Sequence, residues 1–363
     1  MKRWFCLGAA LLAMGLSSCA QQAPSDASAA RPEAVNENDG AVTVQPALPP
    51  PEPPQPDPRP EKPREEKPRE EKPRGEKPER PRTFAEVVRA CFARWDTNRD
   101  GFVNAVEILQ QVKNPHVLGE EAAAVAAIHQ LQRFTKQPLA PTDAAGLIDY
   151  QPPPKVPTLP HEYEANLRLI NEARRGVYEN GAPSLDDFHQ GHEGDCYFLA
   201  TLGATVARDP LAVRRMLRPL QDGACELKFP VSAAVRVPRV TDAEIALGSR
   251  ALNQGLWGAY FEKGYGLLAE RKVAPTVGQD AVDAIGHGGH TTAAIHMFTG
   301  QRVEMIEFAK EKDKRGLAER VARALETAQK HRRLVCCSAG GTAPPGMGRH
   351  HAYAVLGYRP ATR

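Results

Sequence analysis

The sequence predicts an α+β protein in which a helical lobe bearing a cysteine precedes a β lobe bearing a histidine. A small all-α module and a disordered tether come before them. Three observations lead there. A glycine-punctuated loop, Gln190 to Asp195, delivers Cys196 straight into an apolar helix-forming run. Late in the chain, Leu334 to Ser338 and His351 to Tyr358 look like strands. Between residues 50 and 82, prolines and alternating charges leave no apolar residues from which a core could form.

The chain has 363 residues with 41% hydrophobic content, enough for a core of ordinary size. Its net charge of +3 gives no ground for a nucleic-acid partner. Met1-Lys2-Arg3 and the apolar run that follows read as an export signal over 1–18, too short to span a bilayer. It ends in Leu16-Ser17-Ser18-Cys19, which resembles a bacterial lipobox, so Cys19 is the expected lipidation site. The resemblance implies an exported lipoprotein anchored to the cell envelope. Ala20 after the cysteine, with no acidic residue there, resembles the pattern sent on to the outer membrane.

Residues 19–82 form the tether. Glu-Lys-Pro-Arg recurs at 61–64, 66–69 and 71–74, a pattern that favours an extended polyproline shape. At roughly 3.1 Å per residue such a stretch reaches on the order of 100 Å.

Residues 83–151 make the all-α module. Phe84, Val87, Val88, Cys91, Phe92 and Trp95 recur at helical spacing, and a loop that fits the EF-hand pattern follows. Asp96, Asn98 and Asp100 supply side-chain oxygens at the odd positions, and Gly101 makes the sharp turn. Phe102 offers a carbonyl, Asn104 takes the often water-mediated place, and Glu107 closes the site with both oxygens. The expected cofactor is Ca2+. A second helix over Glu120 to Phe134 is expected, and Gly146-Leu147-Ile148-Asp149, which echoes Gly101-Phe102-Val103-Asn104, reads as a metal-free partner loop that completes a short β-ladder with it. Prolines in 152–160 make a linker, and 161–363 is the catalytic candidate.

Cys196 at a helix N-terminus faces unpaired N–H groups and the positive end of the helix dipole, which favour thiolate. The Gln190 amide, a few residues upstream, could fold toward the same sulfur as an oxyanion donor. By themselves these residues leave a buried structural cysteine as an equal reading. Five cysteines remain after Cys6 and Cys19 are set aside, an odd number without the spacing of a disulfide framework. The pairs His189 with His192 and His287 with His290 have a metal-like spacing but lack further zinc ligands, so they read as solvated loop histidines.

Several segments, taken together and in order, resemble the calpain family of papain-like cysteine proteases. They are Gln190-Gly191 with Gly194-Asp195-Cys196 and Phe198-Leu199-Ala200; Leu256-Trp257 with Glu262-Lys263-Gly264-Tyr265; Gly288-Gly289-His290-Thr291-Thr292 with Phe298-Thr299-Gly300; and His351-Ala352-Tyr353-Ala354-Val355. The resemblance implies a papain-like fold and endopeptidase activity on peptide or protein substrates. Within it, Cys196 is the nucleophile, His351 its base, Gln190 an oxyanion donor and Gly289 a substrate-binding backbone. Of the acidic residues through which calpain cores bind calcium, Asp187 has a counterpart, whereas Gly255 stands where another is expected. The family's triad asparagine has no counterpart, and His350 replaces the glycine before the histidine. The β lobe is therefore expected to be shortened. The alternative is an inactive calpain-fold, calcium-binding surface lipoprotein acting as a binding module. A third reading is a papain-like amidase acting on cell-wall peptides.

Overall fold

The computed structural model describes residues 80–360 except 180, 187, 252, 272–277, 311 and 342, and the backbone alone at 4–8, 309 and 314. Cys19, the tether up to residue 79, most of the export segment and Asp187 lie outside the described residues.

Strand β1 (Trp4–Gly8) precedes a helical module of α1 (Phe84–Trp95), α2 (Ala105–Val112), α3 (Gly119–Thr135) and α4 (Ala144–Ile148). Each start is locally encoded. Thr83 and Glu86 form a capping box on α1, and Asn104 and Glu107 form another on α2. Asp143 caps α4 by accepting from the Gly146 N–H. Helix α3 carries the run Ala122 to Ala127, wholly buried. Such small side chains let α5 (Leu159–Glu172) and α8 (Asp242–Leu247) approach it closely. The module's core, built on Trp95, Ile108 and Ile128, thus continues into Leu159, Ile170, Ala243 and Leu247.

Val103 does pair across to a second segment, but its partner is Thr142, with both backbone hydrogen bonds at 2.9 Å. The echo at 146–149 is not the ladder. Asp143 caps a helix there and consumes 146–148, leaving only the residue before the cap extended.

The second part adds β2 (Phe188–His189), α6 (Cys196–Arg208), α7 (Pro210–Met216), β3 (Leu217–Pro219), β4 (Cys225–Leu227) and β5 (Val235–Val237). After α8 come β6 (Arg250–Ala251), α9 (Trp257–Glu270), α10 (Thr291–Thr299) and β7 (Val303–Glu307), then α11 (Lys314–Lys330), β8 (Val335–Ala339) and β9 (His351–Ala354). Strands β3, β4 and β5 form an antiparallel meander, and β2 pairs with β6. The third sheet runs β7, β1, β8, β9; β1 is parallel to both neighbours and β9 is antiparallel to β8.

An aromatic cluster sits under α6 and α9. Phe198 stacks on Tyr265 at 4.4 Å between ring centres, and Phe298 packs against both Phe198 and Phe229. Burying these rings fixes the pitch of α6 and with it the direction in which its first residue points. Among the described residues no helix is long and apolar enough to cross a membrane.

Candidate active site

Cys196 is the first residue of α6, half-buried and not in a disulfide. Asp195 precedes it with φ −100° and ψ 19°, and its carbonyl accepts from Phe198 N at 2.8 Å and Leu199 N at 3.1 Å. No side chain caps this helix, which leaves the Cys196 and Tyr197 N–H groups of its first turn without an intrahelical acceptor.

Strand β9 packs along α6. Ala354 lies 4.0 Å from the point a Cβ on Gly203 would occupy, two turns into the helix. At the other end, His350 and Gly194 line the same cavity. Cys196, Ala352 and Ala354 belong to one hydrophobic core. The His351 ring is half-exposed and lies edge-on to Tyr353, 4.8 Å between centres. Tyr353 is itself pinned, its hydroxyl accepting from Gly348 N.

The Gln190 amide does not point at the sulfur. It donates to the Glu193 carbonyl and to Asp195 Oδ1 at 3.2 Å, so both of its N–H groups hold the loop together. Gly194 stitches that loop to the next segment, accepting from Gly288 N at 3.1 Å in a parallel bridge with residue 287. Gly289 is exposed, and the space its missing side chain leaves is taken by Tyr197: a Cβ there would stand 2.5 Å from the ring. His350 has φ 51°, the left-handed region that glycine adopts without strain, and its N–H donates to Gly340 O at 3.0 Å.

A cavity of about 700 Å³ opens beside the Cys196 loop. Gly194, Gly288 and His350 wall it on one side, and Gln132 and Lys136 from the helical module on the other. Neither Cys196 nor His351 is among the residues that line it.

Sequence reasoning missed the charges beneath the loop. Asp195 is fully buried next to Glu262, whose Oε2 accepts from Ser249 N at 2.6 Å. Asp195 Oδ2 and Glu262 Oε1 are both acceptors without a donor. Burial, then the neighbouring carboxylate, pushes the Asp195 carboxyl well above its usual range, and burial raises Glu262 too. Two carboxyls buried side by side disfavour double ionisation of the pair. Glu193 is buried as well, and burial pushes its carboxyl up to about 7 although Arg133 opposes this. Nothing in the period of the sequence marks these residues; only their place in the Gly-Asp-Cys and Glu-Lys-Gly-Tyr segments does.

In the loop after α1, the oxygens converge. Asp96 accepts from Asp100 N and Gly101 N, Asn98 Oδ1 accepts from Asp100 N, and Asp100 Oδ1 accepts from Phe102 N. Glu107, 3% exposed, reaches back across the loop to accept from Thr97 N at 3.0 Å and Asn104 N at 3.1 Å. Gly101 has φ 87° with open space around it, so glycine is needed there for its conformation and not for room. This all-oxygen donor set, with no Lys or Arg paired to it among the described residues, has the chemistry that suits a hard divalent cation. Among the described residues, His129, Asp280 and Asp283 also cluster within 4.8 Å of one another, but there the Arg133 guanidinium already supplies the positive charge.

Comparison with known families matches residues 168–363 to the family described as calpain family cysteine protease. A search among curated proteins returned no match.

Proposed function

The chain belongs to the calpain family of cysteine proteases, and on that premise we propose that it is an endopeptidase using Cys196 as nucleophile and His351 as base. What supports the proposal is Cys196 at the first turn of α6, with β9, the strand that opens with His351, packed against that helix.

In this reading the Cys196 thiol gives its proton to the His351 ring, and the sulfur attacks the peptide carbonyl carbon. The oxyanion is held by the Cys196 N–H and by the Gln190 amide, one of whose two loop hydrogen bonds is released for the purpose. The imidazolium then protonates the leaving amine, the C–N bond breaks, and an acyl-enzyme remains. Water, deprotonated by the neutral ring, releases the acid and restores the thiol. Tyr353 takes part of the orienting duty that an asparagine serves in the family, by packing its ring against His351. Peptide substrate crosses the cavity along the Gly288 backbone, with the helical module as the opposite wall.

Asp96, Asn98, Asp100, Glu107 and the carbonyl of Phe102 would hold Ca2+, with Asn104 acting at the ninth place. Calcium would supply charge neutralisation that locks α1 against α2. Cys19 would carry lipid and anchor the chain to the cell envelope, with the tether as spacer. Cleavage before Cys19 would remove β1, which lies between β7 and β8 in the third sheet.

The second reading, an inactive binding module, is favoured by one observation: both Gln190 N–H groups are already engaged. Hydrolysis of a casein or peptide library by purified chain, against Cys196→Ala, separates the two. Cleavage that vanishes in Cys196→Ala supports the protease; binding of peptide without any cleavage supports the module.

A further inference from the structure

The Cys196 loop is gripped by a residue from the helical module. His129 and Arg133 lie one turn apart on α3 and both reach carboxylates of the catalytic part. Arg133 Nε donates to Asp283 Oδ1 at 2.8 Å and pairs with Glu193 Oε1, while its Nη2 stands 3.8 Å from Asp280 Oδ1. His129 Nε2 lies 3.1 Å from Asp283 Oδ2. The Arg133 side chain is only 11% exposed and the three carboxylates less than that. A guanidinium so far from water persists only against fixed negative partners, and removing it would leave those partners facing one another.

Of the three, Glu193 matters most, because it lies three residues before Cys196. Its carbonyl receives the Gln190 amide, whose other N–H goes to Asp195. Its carboxylate fills the space over Gly286, where a Cβ would run into it. Gly194, next in sequence, is bridged to residue 287. One side chain thus sets the path of the whole loop, and that side chain is held from α3.

We infer that Arg133 is a positioning residue for the nucleophile: through Glu193, the helical module fixes the loop that carries the Gln190 amide and the Cys196 N–H. The catalytic consequence rests on the protease reading above; the mechanical one does not. A purely structural role would make Arg133 one pin among several. His129 provides the contrast: its ring nitrogens go to Asp283 and Gln132, and among the described residues none of its hydrogen bonds reaches the loop.

The test uses the full chain and the variants Arg133→Gln, Arg133→Lys and His129→Gln. Hydrogen exchange is followed at the amides of 190–196, and peptide hydrolysis is followed for the two Arg133 variants. Arg133→Gln should speed loop exchange at least about tenfold. It should lower kcat by about tenfold or more with KM within about twofold, because a displaced donor costs more in the transition state than in substrate binding. Arg133→Lys should recover part of both, and His129→Gln should leave loop exchange as in the wild type. Unchanged loop exchange in Arg133→Gln, or an equal rise in His129→Gln, would overturn the inference. If Arg133→Gln does not fold, Glu193→Gln removes the same pairing without orphaning a charge and is read by the same criteria. A wild type that cleaves nothing would count against the protease reading alone, and loop exchange would still decide the role of Arg133.

Discussion

Replacing Gly194 by alanine places one methyl group where the Cys196 loop meets the 286–288 segment. A Cβ there would overlap the Gly286 carbonyl oxygen, with that carbonyl's carbon at 3.2 Å and Gly288 N at 3.7 Å. These are backbone atoms, so no flexible tip can swing away and one of the two segments must move. Overpacking of this kind costs about 1–3 kcal/mol. Parting the segments also weakens the Gly288 N to Gly194 O bond, a further loss of about 1 kcal/mol. The residue has no positive φ, so alanine meets no conformational penalty and gains about 0.4–1 kcal/mol through the unfolded chain. The net expectation is a loss of about 1–3.5 kcal/mol, read from urea unfolding midpoints. Gly340→Ala is the control: nothing lies within 4 Å of its Cβ position and its φ is not positive, so it should gain up to about 1 kcal/mol. Equal midpoints for Gly194→Ala and Gly340→Ala would refute the apposition of the two segments.

Four further outcomes are expected. His350→Gly relieves a left-handed backbone at φ 51° and should raise stability by up to about 1 kcal/mol in thermal melts. Glu193 is held at about 7 by burial against an ordinary 4.5. The native state therefore binds that proton more tightly than the unfolded chain does, and the group's contribution is full below about 4.5 and lost as pH rises through about 7. Wild-type stability relative to Glu193→Gln should accordingly fall between about pH 5 and 8 in a melt series. Phe198→Ala empties a fully buried site stacked on Tyr265 and should cost about 3–5 kcal/mol by urea unfolding. Glu107→Gln should weaken Ca2+ binding at least about tenfold by calorimetry, since one carboxylate of the loop is lost; unaltered affinity would place the ion elsewhere.

The helix that carries Cys196 was legible because a glycine loop meets an apolar run at that residue, and α6 begins there. Helix α9 likewise opens at Trp257, where the apolar stretch resumes after Gly255. The caps on α1 and α2 could be read from Thr83 with Glu86 and Asn104 with Glu107, because capping is local. What was not legible depends on contacts between distant segments. His129 and Arg133 look like one polar face of an alanine-rich helix, and only the fold sets Asp280, Asp283 and Glu193 against them. The pairing of Val103 with Thr142 was missed for a different reason: the resemblance of 146–149 to 101–104 outweighed a helix cap at Asp143. Gln190 was expected beside the sulfur, whereas the loop's own unsatisfied carbonyl and carboxylate are nearer acceptors. The glycine at 289 was read as room for substrate, while the structure fills that room with the ring of Tyr197.

The most direct test is covalent labelling of the purified chain with a thiol-reactive peptide electrophile, with the modified residue located by mass spectrometry. Wild type, Cys196→Ala and His351→Ala are compared, each with and without calcium. Modification at Cys196 that is abolished in Cys196→Ala and slowed by about a hundredfold or more in His351→Ala is the predicted result. Folded wild type left unmodified at Cys196 in every condition, or a His351→Ala variant labelled as fast as wild type, would contradict it.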